Sequence, residues 1–218
     1  MVLGYERRVA ADPQRETSTR GWAGQTGMIQ AMVKLRFVER YCSPAEGWRV
    51  FVDIDPPEEG RTGSPRLCQE SRDRLKRTLE QAPRAIRSLM ELGVFVGKRK
   101  GAWQPCFGST LGLPKGDRDV IAVHPDTRRL LIAEVEGDSG GQPEGKIYKA
   151  LGQLVVAAGE PSPSGYRREL ILVISGDRAE RHIARASASA GIGIAGLVIA
   201  DREAQDRWVF GVPLARMD

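Results

Sequence analysis

A hairpin with apolar side chains on both faces and carboxylates at its open end constrains this chain more than any other feature. Residues 118–124 (RDVIAVH) and 129–136 (RLLIAEVE) are rich in Val, Ile and Leu, and Pro125-Asp126-Thr127-Arg128 between them is turn-forming. A four-residue turn there sets Asp119 opposite Glu134 and Asp117 opposite Glu136. Side chains alternate along a strand, so these acids share a face with Ile121, Val123, Leu130 and Ile132, while Val120, Ala122, Leu131, Ala133 and Val135 form the other. Two apolar faces imply central strands covered on both sides. Directly opposed residues have Cβ atoms roughly 4.5–5.5 Å apart, where like charges repel. The acids therefore call for a cation, and oxygen-only ligands suit Mg²⁺, with Mn²⁺ able to substitute. The alternative is that Asp117 is a turn residue before the strand and Glu136 a residue leaving the sheet beside Gly137, but carboxylates at the ends of such strands are more often site than decoration.

The bulk properties narrow the partners. A chain of 218 residues is long enough for one large domain, or for one domain with a small appendage. Net charge is +5 with a pI near 9.3, a mild basic bias that fits a nucleic-acid partner, and Arg, whose planar fork suits phosphate, dominates the basic residues. Cys42, Cys68 and Cys106 form no CxxC pair, which argues against a zinc site or a disulfide framework and for a reducing, cytoplasmic setting. Only His124 and His182 are present, so His-based catalysis is poorly supplied, and His124 is expected to end the first hairpin strand. The N-terminus has no apolar h-region and no 18-residue apolar run occurs, so neither a standard signal nor a membrane span is expected.

Along the chain, residues 1–24 read as a polar N-terminal arm and 25–218 as one domain. Residues 25–41 place Met28, Ile29, Met32, Val33 and Leu35 at helical spacing, and 48–54 (WRVFVDI) is strand-like. Residues 68–92 are helical in pattern, with Pro83 expected to kink or split the helix, and their Arg and Lys residues read either as a basic surface or as a solvated helix face with Glu80 and Glu91 as partners. Short strands are expected at 94–100 and 103–107. After a loop over 137–145, residues 146–158 form an amphipathic helix with Ile147, Leu151, Leu154, Val155 and Ala158 as its stripe, and Lys146, Lys149 and Gln153 on the other side. Strands follow at 169–175, 192–200 and 207–212, with a helix from an Asp177 cap through Ser189. The order predicts an α/β fold, a three-layer α/β/α sandwich around a central mixed sheet.

The string GDRDVIAVHPDTRRLLIAEVEG, a Lys- and Gln-bearing helix after it, and then ELILVIS resemble the PD-(D/E)XK, or restriction-endonuclease-like, nuclease superfamily. The resemblance covers roughly residues 115–200, and the 25–41 helix matches the family's opening helix. It implies a restriction-endonuclease-like fold and a Mg²⁺-dependent DNA endonuclease of restriction, defence or repair type. By motif position Asp119 matches the family Asp and Glu134 the first acid of the acidic-x-Lys motif, whereas Glu136 stands where Lys is usual. Some family members carry the Lys on the following helix; Lys146 and Lys149 are the candidates here, and Gln153 resembles the helix Gln of RecB-like members. The implied metal ligands are Asp119, Glu134 and Glu136, with Asp117 beside them, and the implied catalytic set adds Lys146, Lys149 and Gln153.

The chemistry is coherent without the family. Phosphodiester hydrolysis needs an activated water and neutralised phosphoryl charge, which a divalent ion between Asp119 and Glu134 supplies. No P-loop spacing occurs, and the DSGG at 138–141 has no matched His, which leaves it as a loop near the site. The Glu136-for-Lys exchange keeps open a second class of function, an inactive nuclease-like fold that binds nucleic acid or assembles a complex. Unrelated small-molecule chemistry on an α/β fold is a third class. Cutting both strands of a duplex calls for two sites, hence a homodimer.

Overall fold

The centre of the molecule is the hairpin, in the register its turn dictates. In the computed structural model, which describes residues 27–54, 69–97, 107, 118–137, 143–175, 182–200 and 205–211, Val120–His124 pairs antiparallel with Arg129–Glu136 and Val120 lies opposite Ala133. Arg128 closes the turn at φ 49, the left-handed region, and its N–H donates to Pro125 O at 3.3 Å. The expected arm at 1–24, Asp117, Cys68, Cys106, the Asp177 cap and residues 103–106 of the expected strand at 103–107 lie outside the described residues, while Phe107, which is described, is helical and not extended.

In chain order the strands are β1 (Arg49–Asp53), β2 (Phe95–Gly97), β3 (Val120–His124), β4 (Arg129–Glu136), β5 (Arg167–Ser175), β6 (Ile194–Ile199) and β7 (Arg207–Phe210). They form one seven-stranded sheet in the order β2-β1-β3-β4-β5-β6-β7, so the hairpin is interior as its two apolar faces require. The sheet is mixed: β1/β2, β4/β5 and β5/β6 are parallel, and the other neighbours are antiparallel. Helices α1 (Gln30–Tyr41), α2 (Gln69–Glu91) and α3 (Pro143–Gly159) cover it. One core packs Val33, Phe37 and Val38 of α1 and Ala85 and Leu89 of α2 against Val120, Ala133 and Val135. The other packs Ile147, Ala150, Leu154 and Ala157 of α3 against Ile121, Ile132 and Leu172. The protein is therefore α/β, a mixed sheet between two helical layers. Among the described residues no helix is long and apolar enough to cross a membrane.

Four local expectations change. Gln69–Glu91 is one continuous helix with the exposed Pro83 inside it, because a proline on the solvent side removes one donor without displacing the buried Ala82 and Ala85. The buried stripe of α3 runs through Ile147, Ala150, Leu154 and Ala157, leaving Val155 45% exposed; small alanines let the helix sit close to the sheet there. The helix expected to run through Ser189 ends instead in 3-10 turns over Ser187–Ile192, a stretch of small residues. Gly193, at φ 78, caps those turns and starts β6 two residues later than the apolar pattern alone suggests.

Candidate functional site

The site gathers at one end of the sheet. β1 and β4 finish there and β3 begins there, since β3 is antiparallel to both. Continuing the β3–β4 register by one residue sets Asp119 opposite Glu134, and continuing β1–β3 sets Asp53 opposite Asp119, with Asp53 N–H donating to Asp119 O at 2.9 Å. Asp53, Asp119 and Glu134 thus form a row across three adjacent strands on the face covered by α3, and Glu136 follows Glu134 on that face.

Each acid has a distinct environment. Asp119 Oδ2 accepts the Val135 N–H at 2.8 Å, and Oδ1 lies 2.7 Å from the Lys34 Nζ. Lys34, from α1 in the opposite layer, also donates to the Asp53 carbonyl oxygen and is only 4% exposed. Glu134 is 2% exposed, and its Oε1 has no hydrogen-bond partner among the described residues. Burial first, and the Asp119 charge second, push its carboxyl up to about 9, against the pull of Arg118 and Lys34. Glu136 is half-buried, and burial also raises its carboxyl, opposed most by Lys146 and then by Lys34 and Lys149. At neutral pH the protonated form of Glu134 is therefore favoured in the metal-free chain, beside the Asp119–Lys34 salt bridge.

Of the residues singled out in the sequence, Asp119 and Glu134 come together as the hairpin register requires, with Glu136 beside them. Lys146 and Lys149 stand exposed on the first turns of α3, close enough for their charges to act on Glu136, and Gln153 is half-buried two turns further on. Asp117 is outside the described residues. Among the described residues no group of three or more His, Cys, Asp or Glu side chains is assembled to hold a metal ion. The donors nonetheless fit a divalent cation in kind: an orphaned buried carboxyl oxygen on Glu134 adjoins a carboxylate on Asp119.

Lys34 and Asp53 escaped the sequence reading. The signal for Lys34 was present: Ala31, Phe37 and Val38, three or four residues away on α1, are all buried, so a charged residue among them needs a buried partner. Asp53 ends a strand-like run, and only the β1–β3 pairing brings it beside Asp119.

The placement of α1 is part of the site. Gln30 Nε2 donates to Val135 O at 2.6 Å, and Met28 N–H to Ser175 Oγ at 3.4 Å. A Cβ on Gly137 would fall 2.3 Å from Gln30 N and 2.7 Å from Ile29 C, so only glycine lets α1 begin this close to the end of β4.

Searches against protein-family models, curated proteins and solved structures each found no match to this chain.

Proposed function

We propose that this chain is a Mg²⁺-dependent DNA endonuclease with a restriction-endonuclease-like fold of the PD-(D/E)XK type. The observation that carries the reading is Glu134, a buried carboxyl with an unpartnered oxygen, set beside Asp119 at the end of two interior strands. Carboxyl oxygens at such depth are ordinarily hydrogen-bonded or paired, and Glu134 Oε1, which is not, is poised for a ligand. Asp119 and Glu134 would hold the ion, with Glu136 and Asp117 as further ligands. A bound divalent ion supplies an activated water and neutralises phosphoryl charge.

The remaining parts serve a polyanionic substrate. Lys146 and Lys149 are exposed at the end of α3 that meets Glu136, where their charges can face a phosphate and offset the Glu at the usual Lys position. Gln153, two turns on, is the family's helix Gln in this reading. α2 exposes Arg72, Lys76, Arg84 and Arg87, in keeping with a net charge of +5. Cleavage of both strands would require two copies, and gel filtration on DNA tests for a homodimer.

Supercoiled plasmid incubated with the purified protein in Mg²⁺, Mn²⁺ or EDTA tests the activity directly. Nicked or linear product in the divalent ions and none in EDTA is expected; intact plasmid in all three overturns it. A second reading has an observation of its own. Asp119 already has both oxygens engaged, by Lys34 and by Val135 N–H, as in a nuclease-like fold that binds nucleic acid without cutting it. DNA binding without cleavage in the same samples selects that reading.

A further inference from the structure

Lys34 is a built feature, not a surface lysine that has swung onto an acid. Its ammonium is carried through the sheet end from the layer opposite α3, is 4% exposed, and divides its donors between Asp119 Oδ1 and the Asp53 carbonyl. The helix that carries it is fixed at its start by the Gln30–Val135 hydrogen bond and by the close approach at Gly137. Lys146 and Lys149, by contrast, are exposed. The Lys34 charge acts on three of the acids: it pairs with Asp119 and opposes the loss of charge on both Glu134 and Glu136. A monovalent cation thus occupies the position, electrostatically, that the acid row offers to a divalent one.

We propose that Lys34 is the resident cation of the acid row, a positioning residue that fixes Asp119 and sets the affinity of the site for a divalent ion by direct charge competition. The inference rests on reading the row as a metal site. Lys34 keeps the row folded without metal, because the half-buried Asp119 carboxylate beside the buried Glu134 would otherwise lose its paired cation. The same ammonium repels any divalent ion that reaches Asp119, since two cations sharing one carboxylate oxygen stand only a few ångströms apart. Removing it should therefore weaken the metal-free fold and strengthen metal binding, a pair of opposite signs that loss of packing alone does not produce.

The test is calorimetric titration of Mn²⁺ into wild type, Lys34→Met and Lys34→Gln, with melting curves of each in EDTA and in Mn²⁺. Both variants should melt below wild type in EDTA, bind Mn²⁺ about 10-fold more tightly or better, and gain more in melting temperature from Mn²⁺ than wild type does. If Lys34→Met does not fold in EDTA, refolding in Mn²⁺ should restore its far-UV circular dichroism. Equal or weaker Mn²⁺ affinity in the variants overturns the inference and leaves the nuclease reading standing. Binding by the variants but not by wild type supports the resident cation and overturns a metal-dependent activity for the native chain. Absence of Mn²⁺ binding in all three proteins overturns both.

Discussion

Asp119 Oδ2 accepts the backbone N–H of Val135 at 2.8 Å, so the carboxylate just before β3 is tied to the strand that carries Glu134 and Glu136. The bond sits between the two glutamates in sequence and fixes Asp119 beside both. Asp119→Ala and Glu134→Ala should each abolish plasmid cleavage while leaving the far-UV circular dichroism of the fold in place. Unchanged Mn²⁺ binding by both variants in calorimetry would sink the assignment of these two acids as ligands.

The Glu134 carboxyl, pushed up to about 9 by burial and by Asp119, predicts a pH dependence of stability. Its folded pKa lies above the unfolded value of 4.5, so the folded chain keeps a proton that the unfolded chain releases. In EDTA, stability should therefore fall as pH rises between those two values, by at most about 1.4 kcal/mol per pH unit from this group. Glu134→Gln removes that slope, so its melting temperature should gain on wild type between pH 5 and pH 8. Parallel curves for the two proteins would count against a buried, protonated Glu134.

Divalent ion should raise the melting temperature of the wild-type chain, because a ligand that binds only the folded state stabilises it by about 2.7 kcal/mol at a concentration of 100 times Kd. The rise should be larger at pH 8 than at pH 6, since the ion must displace the Glu134 proton. A melting temperature indifferent to millimolar Mg²⁺ and Mn²⁺ at both pH values would argue against a shared site.

One of Lys146→Ala or Lys149→Ala should slow cleavage by on the order of 10²-fold or more, the cost of losing a preorganised charge at the reacting phosphate. DNA binding in Ca²⁺ should change little. Wild-type rates in both variants, or equal losses of rate and binding, would confine these exposed lysines to backbone contact or solvent.

Gly137→Ala should destabilise the fold by about 1–3 kcal/mol in urea denaturation, as overpacking does. The new methyl group would meet the backbone of Ile29 and Gln30, which cannot rotate aside. Moving α1 to relieve the clash would also move Lys34, so cleavage should fall further than stability alone accounts for. A variant with wild-type stability and activity would show that α1 can retreat without cost.

The sequence by itself determined the β3–β4 hairpin, its register and the pairing of Asp119 with Glu134. Those follow from local rules: a turn of fixed length and a side-chain period of two leave one alignment that buries both apolar faces. The α/β class and the interior position of the hairpin were legible for the same reason. The tertiary structure alone decided what surrounds the acids. Lys34 lies 85 residues from Asp119 and reaches it from the other layer, and Asp53 joins the row only through the β1–β3 pairing. The exposed side of α3 at Val155 and the uninterrupted α2 across Pro83 were likewise settled by packing, which overrides a helical wheel and a breaker when the buried partners fit. Register is a local property of two strands and a turn, whereas the charge balance of a buried site depends on which distant side chains the fold brings to it.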